Sequence, residues 1–206
     1  MSAPYVSDPA DAVVTAWAPL AGTGLLATAE PLRDARTGLY ARFTDREALE
    51  ALARLGCRLP TGGEVDAIRD DALSRGGCLL TPVTLPDGDM LRAAGISQAN
   101  QAAVAAFLNA NMASEAWCRE HDRRVAAQLA ALGWDGTRPA MNAGKWYIGG
   151  APAGRAWLQG WWLLATKLVA AHYIQAGHEA PGAQGPHGDM GSRDYGTLTM
   201  AVREPD

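Results

Sequence analysis

The sequence predicts an α+β fold, with helices packed on a small, curved antiparallel sheet. Three observations carry that expectation: two capped amphipathic helices between residues 44 and 77, a long helical pattern over 97–132, and short glycine-punctuated strands from 134 onward. At 206 residues, 48% apolar and 19% charged, the chain can bury a full core as a single domain. Within residues 1–206, the helical middle 97–132 is either part of that core or an insertion, and 134–206 forms the tryptophan- and glycine-rich sheet region.

Residues 1–43 are broken by Pro19, Gly22, Gly24, Pro31 and Gly38, with short apolar stretches at Val13 to Trp17 and Gly24 to Ala27. These are expected to be short strands and turns. Thr44 then stands as N-cap before Ala48, Leu49, Leu52 and Leu55, which recur at helical spacing until Gly56 stops the run. A second helix starts after Leu59 and Pro60, with Thr61 as N-cap and Glu64 as its capping-box partner. Val65, Ile68 and Leu73 form its apolar stripe, and Gly76 and Gly77 close it.

Leu79 to Gly95, broken by Pro82 and Pro86, reads as a loop. The 97–132 pattern is expected to be two helices meeting near Asn109 to Ser114, where Asn109, Asn111 and Ser114 weaken helix propensity, with Gly133 as the stop. The charged set Glu115, Arg119, Glu120, Asp122, Arg123 and Arg124 reads as a solvated face with i, i+4 pairs. Five of the seven tryptophans then fall between 134 and 162, interleaved with glycines, and the expected strands are Lys145 to Ile148, Ala156 to Trp162, Val169 to Ile174 and Thr197 to Val202.

Several function classes lack support. A net charge of −4 and a pI near 5.5 leave no basic footprint, so nucleic acid is not an expected partner. No apolar run of about 18 residues is present, so membrane insertion is not expected. The N-terminus has no basic region and carries Asp8 and Asp11, unlike a secretory signal, which makes the cytoplasm the expected compartment, with release by lysis as another route outside. Cys57, Cys78 and Cys118 are widely spaced and odd in number, which points to free thiols rather than a disulfide scaffold or zinc knuckle. Dinucleotide, P-loop, serine-hydrolase and HExxH motifs are missing.

The run FTDREALEALARLGCRLPTGGEVDAIRDDA, Phe43 to Ala72, resembles the formylglycine-generating enzyme or sulfatase-modifying-factor family, in which one helix leads into a second opened by an RLPT motif. Arg58, Leu59, Pro60 and Thr61 match that motif, whereas Gly62, Gly63 and Val65 depart from the family's acidic and aromatic continuation. The closing DYGTLTMAVREP resembles the family's last strand in position and apolar character, and the tail also resembles segments of uncharacterised phage and bacterial proteins. The resemblance implies a C-type-lectin-like fold, two helices on a twisted sheet. It does not carry the oxidase chemistry: those members use a C-terminal cysteine pair, and no cysteine follows Cys118 here. The three-histidine set of the related iron enzymes is not assembled either.

Chemical interest concentrates in the glycine-rich tail. His187 can move protons near neutrality, and Asp189 or Asp194 can polarise it, so these three are the catalytic candidates. Lys145 can hold an anion, Trp146, Trp161 and Trp162 offer flat apolar faces, and Gln175 and Tyr195 complete the expected ligand-binding set. The plainer alternatives are tryptophans in the core, His187 and Asp189 as loop polarity, and Asp194 and Tyr195 bracing the last strand. No metal site is expected, because the HGD spacing supplies two ligands where three or four are needed. The leading expectation is a protein that binds a small polar ligand, a saccharide or cell-wall fragment. The alternatives are a phage-type cell-wall lysin using His187 with Asp189 or Asp194, and a structural or assembly protein.

Overall fold

The computed structural model describes residues 5–74, 79–80, 83, 85–111, 114–142, 145–150, 157–160, 162–164, 167–169 and 197–206. Its N-terminal part is a set of short strands: β1 (Ala12–Val13), β2 (Trp17–Leu20), β3 (Leu25–Thr28) and β4 (Arg33–Asp34). The expected strand at Val13 to Trp17 is displaced, because β2 starts only at Trp17 and runs through Pro19, whose position is exposed. A proline fits there because β2 is the outer strand of its sheet.

Helix α1 (Asp45–Arg54) begins as the sequence predicts. Thr44 Oγ1 accepts from the Glu47 N–H at 3.2 Å, and a Glu47 carboxylate oxygen accepts from the Thr44 N–H at 2.8 Å. Gly56, with φ of 64°, ends the run in a conformation that costs glycine little. Helix α2 (Gly62–Ser74) repeats the capping device with Thr61 and Glu64, and Val65 and Ile68 are buried from it. Its expected stop at Gly76 and Gly77 lies outside the described residues, as does Cys78.

The expected loop 79–95 contains two elements, β5 (Leu79–Leu80) and a short helix α3 (Gly88–Ala93). Asp87 caps α3 by accepting from the Met90 N–H at 2.9 Å, and Leu91 is its buried anchor. Helices α4 (Gln101–Asn111) and α5 (Glu115–Ala131) meet where expected, with Ser114 capping α5 and Gly133 following it at φ 67°. α4 touches α5 through the Phe107 and Trp117 rings, 6.0 Å apart.

The remaining strands are β6 (Met141–Asn142), β7 (Lys145–Ile148), β8 (Trp157–Gly160), β9 (Trp162–Leu164), β10 (Lys167–Val169), β11 (Thr197–Leu198) and β12 (Val202–Arg203). They make the fold α+β, with helices against small sheets. Pairing is mostly antiparallel, but β5 with β6 and β11 with β7 are parallel. The single strand expected over Thr197 to Val202 is split. Leu198 pairs with β7, the chain then crosses through Thr199, Met200 and Ala201, all buried, and Val202 pairs with Ala27 of β3.

That crossing joins two core clusters. One gathers Leu20, Ala27, Val65, Ile68, Val125, Leu129, Ile148, Leu198, Met200 and Val202, so α5 of the helical middle shares its core with α2 and with both sheets. The other packs α1, through Ala48, Ala51 and Leu52, on Leu32, Phe43, Tyr147 and Ala201. Neighbouring residues Tyr147 and Ile148 enter different clusters because successive side chains of a strand point to opposite faces. Burying aliphatic side chains such as Ile148 contributes about 1.5–3 kcal/mol each, so β7 is anchored in both clusters through Tyr147 and Ile148.

Candidate functional site

Strand β7 carries two of the residues expected to bind ligand, Lys145 and Trp146, and its register places them. Lys145 stands opposite Gly160 of β8 on one side and Thr197 of β11 on the other, so the three residues form one row across the end of the β11–β7–β8 sheet. Trp146 forms the next row, with Gln159 and Leu198. Trp162 opens β9 two residues beyond Gly160 and pairs with Val169 of β10. Trp161, Gln175, His187, Asp189, Asp194 and Tyr195 lie outside the described residues.

The opposite end of β7 is fixed to the RLPT segment. Gly149 donates its N–H to the Pro60 carbonyl at 2.8 Å, and a Cβ at Gly149 would stand 3.1 Å from the Leu59 carbonyl oxygen. The Tyr147 hydroxyl donates to the Phe43 carbonyl at 3.0 Å. These bonds tie β7 to the start of both α1 and α2, at the part of the strand away from Lys145.

A buried group of titratable side chains lies elsewhere, where α5 meets residues 39–44. Arg42 is completely buried, and its Nη2 donates to Asp122 Oδ1 at 2.8 Å. Asp122 Oδ2 accepts from the Tyr40 N–H at 2.6 Å, and the Arg42 N–H goes to Ser7 Oγ at 2.9 Å. His121 Nδ1 is 2.9 Å from Asp122 Oδ1 and 3.2 Å from Arg42 Nη2. Burial works against the charge on Arg42, but Asp122 and then Cys118 outweigh it and hold its pKa above the usual value. Burial pushes the Cys118 thiol up, with Arg42 pulling the other way.

This group corrects one expectation. The sequence places Asp122 with its neighbours on a solvated helix face, yet it is only 7% exposed and bound to Arg42. Glu115 with Arg119, and Glu120 with Arg123 and Arg124, do form the expected surface pairs. The spacing holds the signal: Cys118, Asp122, Val125 and Leu129 recur at i, i+4, i+7 and i+11, the period of one helix face. Arg42, His121, Asp122 and Cys118 are all buried, and the Arg42–Asp122 pair fastens α5 to the N-terminal segment.

A surface groove of about 520 Å³ lies between residues 56–58 and 202–206. Its guanidinium groups are already engaged: Arg58 pairs with Glu64 at 2.7 Å, and Arg203 stacks on Trp17 and pairs with Asp206. The Cys57 thiol in its wall is pushed up to about 11 by burial, which makes it a poor nucleophile. Among the described residues no cluster of three or more His, Cys, Asp or Glu could hold a metal ion, and no helix is long and apolar enough to cross a membrane.

Comparison with protein-family models, with curated proteins and with solved structures finds no match to this chain.

Proposed function

We propose that the protein binds a small polar ligand, a saccharide or cell-wall fragment, at the end of the three-stranded sheet where Lys145, Gly160 and Thr197 stand in one row. The register of that row is the observation that supports the reading. In sequence, Trp161 and Trp162 directly follow Gly160, while Asp194 and Tyr195 come three and two residues before Thr197. Segments far apart in the chain therefore start or finish at the strand end that carries Lys145. Aromatic faces and a few placed polar or charged groups are side chains that can bind a sugar-sized polar ligand.

The fold in this reading is C-type-lectin-like, of the type to which the formylglycine-generating enzyme family belongs. Its support is the passage from α1 into α2 through Arg58–Thr61, together with the pairing of the closing strand β12 with β3. Fold alone does not assign chemistry, so the ligand class rests on the residues at the row.

The test is a calorimetric titration of the full chain with soluble cell-wall saccharides, using wild type, Lys145→Ala, Trp162→Ala and His187→Ala. Saturable binding that weakens at least tenfold in the first two variants is expected. Unchanged affinity in both, with circular dichroism like the wild type, contradicts the site. Turnover followed in the same mixtures separates the lysin alternative, which requires His187→Ala to keep binding and lose hydrolysis.

A further inference from the structure

The surface groove between residues 56–58 and 202–206 contains a guanidinium whose partner is easily displaced. Arg203 presents its fork to Asp206, Nη1 to Oδ1 at 3.3 Å and Nη2 to Oδ2 at 3.2 Å. We infer that Arg203 anchors a binding site for a small carboxylate ligand, and that the Asp206 side chain occupies the site until such a ligand replaces it.

Sheet register builds the anchor. Arg203 of β12 stands opposite Leu26 of β3, which on its other side stands opposite Pro19 of β2. Trp17 lies two residues along β2 from Pro19 and so on the same face of the sheet. The Arg203 guanidinium rests over the Trp17 ring, with Cζ 4.7 Å from the ring centroid. Stacking holds a planar guanidinium in place and leaves its fork free to meet a carboxylate with two parallel hydrogen bonds. Nε is buried and has no partner among the described residues, so the two Nη atoms are the ones that recognise an acceptor.

The present occupant is weakly held. The Asp206 side chain is 87% exposed, and both contacts are longer than the roughly 2.7–2.9 Å of a strong charge-assisted pair. An exposed pair of this length contributes little and exchanges readily. The other guanidinium of the groove is held far more firmly. Arg58 grips Glu64 through both Nη atoms at 2.8 and 2.7 Å, donates to the Leu59 carbonyl at 3.1 Å, and also feels Glu204. With Asp206 in place the groove keeps about 520 Å³ of open space, within the size range of small-molecule sites. None of its lining residues belongs to the row at Lys145, so this site stands or falls apart from that one.

Succinate, titrated into the full chain with sodium chloride adjusted to constant ionic strength, is the probe. The readout is the Arg203 Nε–H resonance with the Gly56 and Arg203 amides, and saturable shifts are expected in wild type. Asp206→Asn removes the competing charge at an exposed position and should tighten succinate about two- to fivefold, the worth of an exposed ion pair. Arg203→Gln, followed through the two amides, should weaken it at least about tenfold. Three results each overturn the inference: no saturable shift in Asp206→Asn, equal affinity in Asp206→Asn and wild type, or wild-type affinity in Arg203→Gln. Shifts that sodium chloride alone reproduces overturn it as well. Should Arg203→Gln fail to fold, the comparison of wild type with Asp206→Asn decides.

Discussion

Arg58 and Val202 exchange both of their backbone hydrogen bonds, at 3.0 and 2.9 Å, and so close the fold. The residue that opens the RLPT segment is thereby paired with the strand that ends the sheet. On its other side Val202 pairs with Ala27, so one short strand joins the N-terminal hairpin to the turn between α1 and α2. Ile68 of α2 packs into the cluster that Val202 completes and is 2% exposed. Ile68→Ala is expected to cost about 2–5 kcal/mol in urea unfolding, whereas Arg119→Ala on the α5 surface stays within about 0.5 kcal/mol.

Thr44→Ala removes one half of the α1 capping box. The expected loss is about 1 kcal/mol, read as a lower urea midpoint with unchanged slope. Thr44→Ser, which keeps the acceptor, should recover most of it.

Much of the helix pattern is legible in the sequence, and the reason is local. The pairs Thr44/Glu47 and Thr61/Glu64, the stop at Gly133 and the short strand Lys145–Ile148 between glycines are each read within a few residues. What escaped depends on distant partners. Helix α3 has a single buried anchor, Leu91, between Pro86 and Gly95, so no apolar period announced it. Thr197 to Val202 looks like one strand until Leu198 is seen on β7 and Val202 on β3. Asp122 looked solvated because its partner Arg42 belongs to a segment far away in the chain. Of the candidate site, the positions of Lys145, Trp146 and Trp162 are now placed in register, and nothing in local sequence indicated that Lys145, Gly160 and Thr197 would share a row.

The Arg42–Asp122 pair gives a sharper energetic prediction. Removing one partner leaves the other charged and buried, so Asp122→Ala is expected to cost about 3–5 kcal/mol. Replacing both, as Arg42→Met with Asp122→Leu, should cost less than the sum of the single changes in a double-mutant cycle of urea unfolding.

Glu30 predicts part of the acid limb of stability. Burial raises the pKa of its carboxyl, but the Arg33 guanidinium outweighs that, with Thr15 and Tyr40 adding hydrogen bonds, and the net shift is downward. A depressed folded pKa means that the stabilisation is present above the ordinary glutamate value of about 4.3 and is lost as pH falls through the folded one. The gap in urea midpoint between wild type and Glu30→Gln should therefore be full at pH 7 and narrow below about pH 4.3.

Cys57 and Cys118 should be slow thiols. With Cys57 near 11, roughly one part in a thousand is thiolate at pH 8, and burial raises Cys118 as well. Peptide mapping after brief iodoacetamide treatment of the folded protein should find both largely unmodified, and modified after denaturation.

The row across the sheet end is tested most directly by following backbone amide resonances while a soluble cell-wall saccharide is added. The amides of Lys145, Gly160 and Thr197 should shift together and saturate at one ligand concentration, with those of Gly149 and Val202 unmoved. Saturable binding that leaves the three in place and moves resonances elsewhere would contradict the account.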